Sequence, residues 1–194
     1  MRLAFPFLLL LILLQACNSS DGKFSGIADG IPVVKLPMQL GMWSNNIPRT
    51  SDPNTVQWIR HFADSTQRYI WGRVFVDQPN IYLLASQPDD QGTVFLITFD
   101  RSGKLLSQEA LQRGEYVSAD QQYATNNHAT LYADMRLYEV DSLFKYPYDS
   151  VKNDRTEGDV MCKVTQQEHT IQPDGSLKVI RNNSTGFFKI KKMR

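Results

Sequence analysis

Short runs of β-branched and aromatic residues, divided by turn-forming residues, constrain the fold of this chain more than any other feature. Residues 69–76, 81–86 and 94–99 are such runs, and stretches containing Pro, Asn, Asp and Gly separate them. The same pattern predicts further strands at 104–111, 129–132, 136–140, 160–171, 176–181 and 186–190. Strands do not alternate with helices, so a parallel sheet is not expected. The sequence predicts a mainly β fold, either an antiparallel β-sandwich or a half-closed β-barrel.

Two turns in this pattern have the composition of β-hairpins. Asp100-Arg101-Ser102-Gly103 joins two predicted strands, and Pro173-Asp174-Gly175 joins two more. In each turn glycine can supply the positive φ that such a connection needs. Tyr146-Pro147-Tyr148 and Asn153-Asp154 mark a longer and more exposed excursion from the sheet.

One short N-terminal helix is also expected. Asp52-Pro53 provides a cap and a proline at the first helical position. Val56, Ile59 and Phe62 follow at helical spacing, which predicts that they share the buried side of this helix.

The first sixteen residues have the composition of a signal peptide. Arg2 gives a minimal positive start, and an almost unbroken apolar run extends from Leu3 to Leu14. This run is too short to cross a bilayer as a stable helix, which requires about 20 residues. We therefore expect residues 1–16 to be a cleaved leader.

The end of this leader, Leu14-Gln15-Ala16-Cys17, resembles the lipobox of bacterial lipoproteins, although Gln15 replaces the more usual small residue. The resemblance implies cleavage before Cys17, a diacylglyceryl group on its thiol and acylation of the new N-terminus. Several acyl chains give lasting membrane attachment, whereas one gives only marginal binding. The alternative is an ordinary signal peptide that is cut near Ala16.

Lipidation at Cys17 suggests a simple division of the mature chain. Residues 17–30 are rich in small and polar residues and are expected to form a flexible tether, and residues 31–194 a single β-rich domain. Asn18 follows the cysteine, which by resemblance to enterobacterial lipoproteins implies the outer membrane. The segment from Val94 to Leu106 resembles the core of small Bacteroidota lipoproteins of unknown function, a resemblance that implies fold and no active site.

The charge of the chain is balanced. It contains 21 Lys and Arg residues against 20 Asp and Glu residues. This composition gives no overall basic character for nucleic acid and no polybasic stretch for anionic lipid, so neither is expected as a partner.

The chain contains two cysteines, Cys17 and Cys162. If Cys17 carries lipid, Cys162 is left as a single thiol. Strand alternation places Val160, Cys162 and Val164 on one side, which favours a buried, structural and unpaired cysteine.

The sequence contains no motif that marks a catalytic or metal site. The three histidines, His61, His128 and His169, have no zinc-binding spacing. Two acidic groups could in principle supply calcium ligands or a catalytic carboxylate pair: Asp89-Asp90, and Asp134 with Glu139 and Asp141. Their pattern is more typical of loops and of the solvent-exposed face of strands. There is no G-x-S-x-G and no nucleotide-binding glycine motif. We therefore expect no cofactor, no metal and no catalytic residue.

Aromatic residues are the better indication of a binding surface, although most of them are expected in the core. They are Trp43, Trp58, Trp71, Tyr116, Tyr123, Tyr132, Tyr138, Tyr146 and Tyr148. The resulting expectation is a membrane-anchored envelope module that binds a protein, a glycan or a small ligand. The alternative is an envelope hydrolase whose active site is dispersed through the fold.

Overall fold

A computed structural model describes residues 21–40, 69–86, 93–112, 116–119 and 121–193 of the chain. The elements are α1 (Asp21–Asp29), β1 (Met38–Leu40), β2 (Tyr69–Val74), β3 (Ile81–Ser86), β4 (Val94–Phe99), β5 (Leu105–Gln112), β6 (Tyr116–Val117), β7 (Tyr123–Leu131), β8 (Arg136–Lys145), β9 (Tyr148–Asp149), β10 (Asp154–Arg155), β11 (Gly158–Ile171), β12 (Leu177–Ser184) and β13 (Phe188–Met193). The expected mainly β fold is confirmed. Its sheets are antiparallel and are not closed into a barrel, as in a sandwich.

The four-stranded sheet is a meander in the order β2-β3-β4-β5. Nearly every side chain of β3 and β4 is buried, because both faces of this sheet are covered. On one face Ile70, Leu83 and Phe99 belong to an apolar cluster with Phe24 and Ala28 of α1. The opposite face packs against the larger sheet. This double coverage explains why β3 and β4 are continuous apolar runs rather than alternating ones.

The seven-stranded sheet has the order β1-β7-β8-β11-β12. β6 also pairs with β7, and β13 pairs with β11 beyond the point where β12 ends. β11 is 14 residues long and is the last strand before the edge, with β8 on one side and β12 followed by β13 on the other. The outer edge of the sheet on that side therefore consists of the last two strands of the chain. β9 and β10 form a separate two-stranded sheet.

The two sheets pack at one end of the larger one. Leu131, Leu137 and Ile171, which lie beside the β7–β8 and β11–β12 turns, belong to the same buried cluster as Leu84 and Leu96 of the four-stranded sheet. Burial of each such side chain stabilises the fold by about 1.5–3 kcal/mol. The opposite end of the larger sheet, which includes β13, lies away from this contact.

Three hairpins use the same kind of connection. In each, a backbone N–H donates to the carbonyl oxygen four residues later, and the residue before that acceptor has a positive φ, as in a turn followed by a bulge. The donor, positive-φ and acceptor residues are Asp100, Gly103 and Lys104; Tyr132, Met135 and Arg136; and Gln172, Gly175 and Ser176. The predicted hairpin turns at Gly103 and Gly175 are confirmed.

The β11–β12 turn is fixed onto the four-stranded sheet. The Tyr82 hydroxyl and the Asn80 amide both donate to the Pro173 carbonyl oxygen, at 2.6 and 2.8 Å. Tyr82 itself is fully buried. This attachment sets the position of β11 and of the edge strand that follows it.

The predicted helix at 52–62 lies outside the described residues. The expectation of a flexible tether as far as Gly30 is wrong for residues 21–30, which form α1 and the turn that ends it. Phe24 and Ala28 lie four residues apart, so they share one side of the helix and pack into the core. The ring centroid of Phe24 lies 5.0 Å from that of Phe99.

The predicted strands are found, with differences in length. β7 begins at Tyr123 rather than at residue 129, and β8 continues to Lys145 rather than ending at Val140. The additional residues of β7 pair with β8, and those of β8 pair with β7 on one side and β11 on the other.

Candidate functional site

Cys162 lies in β11 and is buried, as predicted. Val160 is buried beside it on the same face, and Val164 is half-buried. Burial raises the pKa of the Cys162 thiol, because removal from water disfavours the thiolate. The protonated form is a poor nucleophile, so Cys162 is suited to packing and not to catalysis. Cys17, the predicted lipidation site, lies outside the described residues.

The histidines are not brought together. His128 is exposed on β7, His169 is buried on β11, and His61 lies outside the described residues. The Nε2 atom of His169 lies 2.7 Å from the Glu139 Oε2 atom on the adjacent strand β8. An imidazole beside a carboxylate can exchange protons, but acyl transfer also needs a nucleophile and an oxyanion-binding group. No such set has been assembled around His169 among the described residues.

The acidic candidates are also dispersed. Asp134 pairs with Arg136 at 2.7 Å in the β7–β8 turn, and Asp141 is exposed on β8. Glu139 was expected on a wet strand face, but its contact with His169 places it beside the core. Within the described ranges, no three His, Cys, Asp or Glu side chains are grouped closely enough to hold a metal ion. Asp89 and Asp90 lie outside these ranges.

The aromatic residues do not form one strip. Tyr123 begins β7 and Tyr132 directly follows its last residue, so the two lie about 30 Å apart at the usual rise of a strand. A cation of the same chain lies over one ring face in several cases: Lys145 over Tyr123, Arg136 over Tyr132, and Arg155 over Tyr146 at 3.7 Å. Trp71 is buried and donates to the Ser86 hydroxyl. Tyr138 and Tyr148 are half-buried. Trp43, Trp58 and the side chain of Tyr116 are not described.

The most unusual surface of the described chain is the outer edge of β12 and β13, which we call the terminal edge (Leu177–Met193). From Val179 to Lys192 every residue is exposed. Five large apolar side chains on it are between 43% and 52% exposed. They are Val179, Ile180, Phe187, Phe188 and Ile190.

Among the described residues, the backbone of the terminal edge has no strand partner on its outer side. β12 pairs with β11 from Thr165 to Ile171, and β13 pairs with β11 from Gly158 to Cys162. No described strand pairs with β12 or β13 on the side away from β11. The edge therefore offers unpaired N–H and C=O groups beside exposed apolar side chains.

Two bulges give this edge its shape. The register shifts between Glu168 and His169 opposite β12, and again between Val160 and Met161 opposite β13. Between the two strands, the Thr185 N–H donates to the Val164 carbonyl oxygen at 2.9 Å, which keeps the chain against β11. β12 and β13 thus form one nearly continuous edge along the whole length of β11.

Sequence reasoning predicted strands here but did not identify the edge as a site. The chain matches no family model, and it shows no significant similarity to curated proteins or to solved structures. The described part of the chain contains no helix with the length and apolarity of a transmembrane span. A function must therefore be inferred from the surface itself.

Proposed function

We propose that this chain is a non-catalytic binding module of a bacterial envelope, anchored by lipid on Cys17, whose binding surface is the terminal edge. The observation that carries the proposal is the combination of an open strand edge with five half-exposed apolar side chains. A surface of this kind suits a protein partner, because an extended segment can satisfy the backbone groups and cover the apolar side chains together. The lipobox-like segment supports the anchor.

The proposal is tested by photo-crosslinking in the cell envelope. A photoreactive phenylalanine analogue at Asn182 or Ile190 should form a covalent adduct with a partner protein. The matched control is the same analogue at Val151, which is 93% exposed and lies in the β9–β10 connection, away from the edge. Adducts that form equally from Val151, or from no position, would contradict the proposal.

The hydrolase alternative has one observation in its favour, the contact between His169 and Glu139. A hydrolase that uses this pair would lose turnover in a His169→Gln variant that keeps its fold. On the binding proposal, crosslinking from Asn182 persists in that variant. Measuring both in the same preparation separates the two functions.

A further inference from the structure

The terminal edge carries basic residues and no acidic ones. Its charged residues are Lys178, Arg181, Lys189, Lys191 and Lys192. The chain as a whole is nearly balanced, with 21 basic and 20 acidic residues, so this concentration is not a property of a basic protein. Lys189 pairs with Asp159 at 2.8 Å, whereas Lys178, Lys191 and Lys192 have no ion pair among the described residues. The two strands of the edge therefore carry an excess of positive charge.

The direction of its backbone groups follows from the hydrogen bonds at the two ends of β12. Thr185 donates inward to Val164, so strand alternation directs the N–H and C=O groups of Ser184 and Asn182 outward. At the other end Ser176 accepts inward from Gln172, which directs the groups of Leu177 outward. These outward groups can pair with an added strand.

The register distributes the charges over both faces of the sheet. Arg181 lies opposite Glu168. Lys191 lies opposite Val160, on the face of the sheet that carries Cys162. Lys192 lies opposite Asp159 on the other face. A strand added to this edge would have basic neighbours on both faces. Acidic side chains on either face of that strand would then meet a cation, as opposite charges do in stable cross-strand pairs.

The same charges argue against a second copy of the chain as the partner that pairs with the terminal edge. Pairing of two terminal edges would place lysines beside lysines along the contact, and like charges in facing positions are destabilising. Lysines on an edge strand are a known protection against self-association. The remaining complementary occupant is an acidic strand.

We infer that the terminal edge binds an acidic, extended segment of a partner protein, which joins the seven-stranded sheet as an additional strand. The inference rests on the proposed function and specifies the chemistry and the binding mode of the partner. Backbone pairing supplies the geometry of the complex, the apolar side chains are covered, and the lysines select acidic sequences. Because the cations are exposed, affinity falls as salt rises.

Synthetic peptides of about nine residues, the length that pairs with a strand such as β12, provide the test. In the first peptide valine alternates with aspartate or glutamate. A second peptide replaces the acids with asparagine and glutamine, and a third replaces them with lysine. A fourth is the acidic peptide with methyl groups on the backbone nitrogen atoms along both of its edges. This peptide cannot donate the backbone hydrogen bonds that strand pairing needs. Binding to the full-length chain in a non-ionic detergent is measured by fluorescence anisotropy at low and high salt.

The acidic peptide should bind at least about tenfold more tightly than the neutral one, and the lysine and N-methylated peptides should not bind. Lys178→Gln/Lys191→Gln/Lys192→Gln should weaken acidic-peptide binding by about tenfold. The matched control, Lys35→Gln/Lys104→Gln/Lys152→Gln, removes the same charge from exposed positions elsewhere and should leave binding unchanged. Asn182→Pro should abolish binding, because it removes an outward N–H at an edge position where proline is tolerated.

Each contrary result identifies a different error. Equal binding of acidic and neutral peptides would overturn the acidic preference but leave the edge as the binding surface. Acidic binding that survives Asn182→Pro and N-methylation would overturn strand addition. If no peptide binds while crosslinking from Asn182 succeeds, the inference fails and the proposed function stands. Binding to phosphatidylglycerol vesicles that exceeds binding to phosphatidylcholine vesicles, and loses this excess in the edge lysine variant, would replace the peptide with a membrane surface.

Discussion

Gly175 lies where the β11–β12 hairpin touches the four-stranded sheet. Its φ is +89°, and a Cβ atom there would lie 1.9 Å from the Thr98 hydroxyl oxygen. Glycine is needed at this position for two reasons: it adopts the positive φ without strain, and it has no Cβ atom to hold the two sheets apart. The sequence indicated the first requirement through the Pro-Asp-Gly turn, but the second depends on residues far away in the chain.

Gly175→Val should therefore destabilise the protein by about 3 kcal/mol, the sum of left-handed strain and a clash with a packed sheet. Gly103→Val should also destabilise it, because its Cβ would lie 2.8 Å from the Phe24 ring. Urea denaturation measures both effects. Gly186→Ala is the control, since no atom lies within 4 Å of its added Cβ. Equal stability of Gly175→Val and Gly186→Ala would show that the close approach of Gly175 to Thr98 does not contribute to stability.

Two turn aspartates should make stability depend on pH. Hydrogen bonds from the Ser176 hydroxyl and N–H lower the pKa of Asp174. Burial raises the pKa of Asp100, but hydrogen bonds from Ser102 and Lys104 outweigh it and leave the pKa below its usual value of 3.8. A lowered pKa in the folded state means that the stabilisation is present above pH 3.8 and is lost as pH falls through the folded-state pKa.

Asp100→Asn/Asp174→Asn should consequently lose less stability than the wild type when the pH is lowered from 6 to about 3. The urea midpoint at each pH measures this difference. Asp77→Asn removes an exposed carboxylate from the β2–β3 connection and serves as the control. An unchanged acid dependence in the double variant would refute the role of these two turns.

Cys162 should behave as a packed apolar side chain. Its buried thiol, with a raised pKa, should react slowly with a thiol reagent in the native protein and rapidly after denaturation. Cys162→Ala should cost about 1 kcal/mol and leave acidic-peptide binding unchanged. Rapid labelling of the native protein would instead indicate an accessible and reactive thiol.

At the scale of elements, local sequence was sufficient to predict those strands whose own residues strongly favour β structure. β3 and β4 have the predicted bounds, because β-branched and aromatic residues flanked by turns favour a strand in almost any context. Residues 123–128 contain two asparagines and resemble a turn, yet they are strand in the structure. Pairing with β8 on one side and β6 on the other determines their conformation, and such pairing is not visible locally.

The terminal edge likewise could not be predicted from local sequence, because its position depends on strand pairing. Its lysines and apolar residues are visible in the sequence, and strands at 176–181 and 186–190 were predicted. Their outer position depends on the strand order, in which β11 pairs with both β8 and β12. Composition averaged over the chain concealed the basic cluster, because acidic residues elsewhere balance it.

α1 was missed because residues 21–29 are mostly small or polar and include Gly26. Isolated helices of this length are unstable, so packing of Phe24 and Ala28 must hold it in place. Phe24→Ala should cost about 3 kcal/mol through lost burial and a cavity. Gly26→Ala, at an exposed helical position with free space, should stabilise by about 0.5–1 kcal/mol. Thermal unfolding that responds to neither substitution would indicate that α1 contributes nothing to the folded state.

For the molecule as a whole, the position of α1 limits the distance between a lipid at Cys17 and the folded part. Three residues lie between Cys17 and Asp21, and the four Cα–Cα steps that join the two can span no more than about 14 Å. A lipid-anchored protein would therefore hold its four-stranded sheet and α1 close to the bilayer. The terminal edge joins this part through the Pro173 turn, so α1 and the proposed binding surface belong to one packed unit.

The anchor itself is tested by comparing the two cysteines in a bacterial host. On the proposed anchoring through Cys17, the wild-type protein should incorporate labelled palmitate and partition into the detergent phase. Cys17→Ser should lose both properties, since several acyl chains are required for lasting attachment. Cys162→Ser is the matched control: it removes the other thiol, which is buried, and should retain the label. Palmitate incorporation that survives Cys17→Ser would rule out Cys17 as the lipidation site, and loss of the label in both variants would indicate a defect in export or folding.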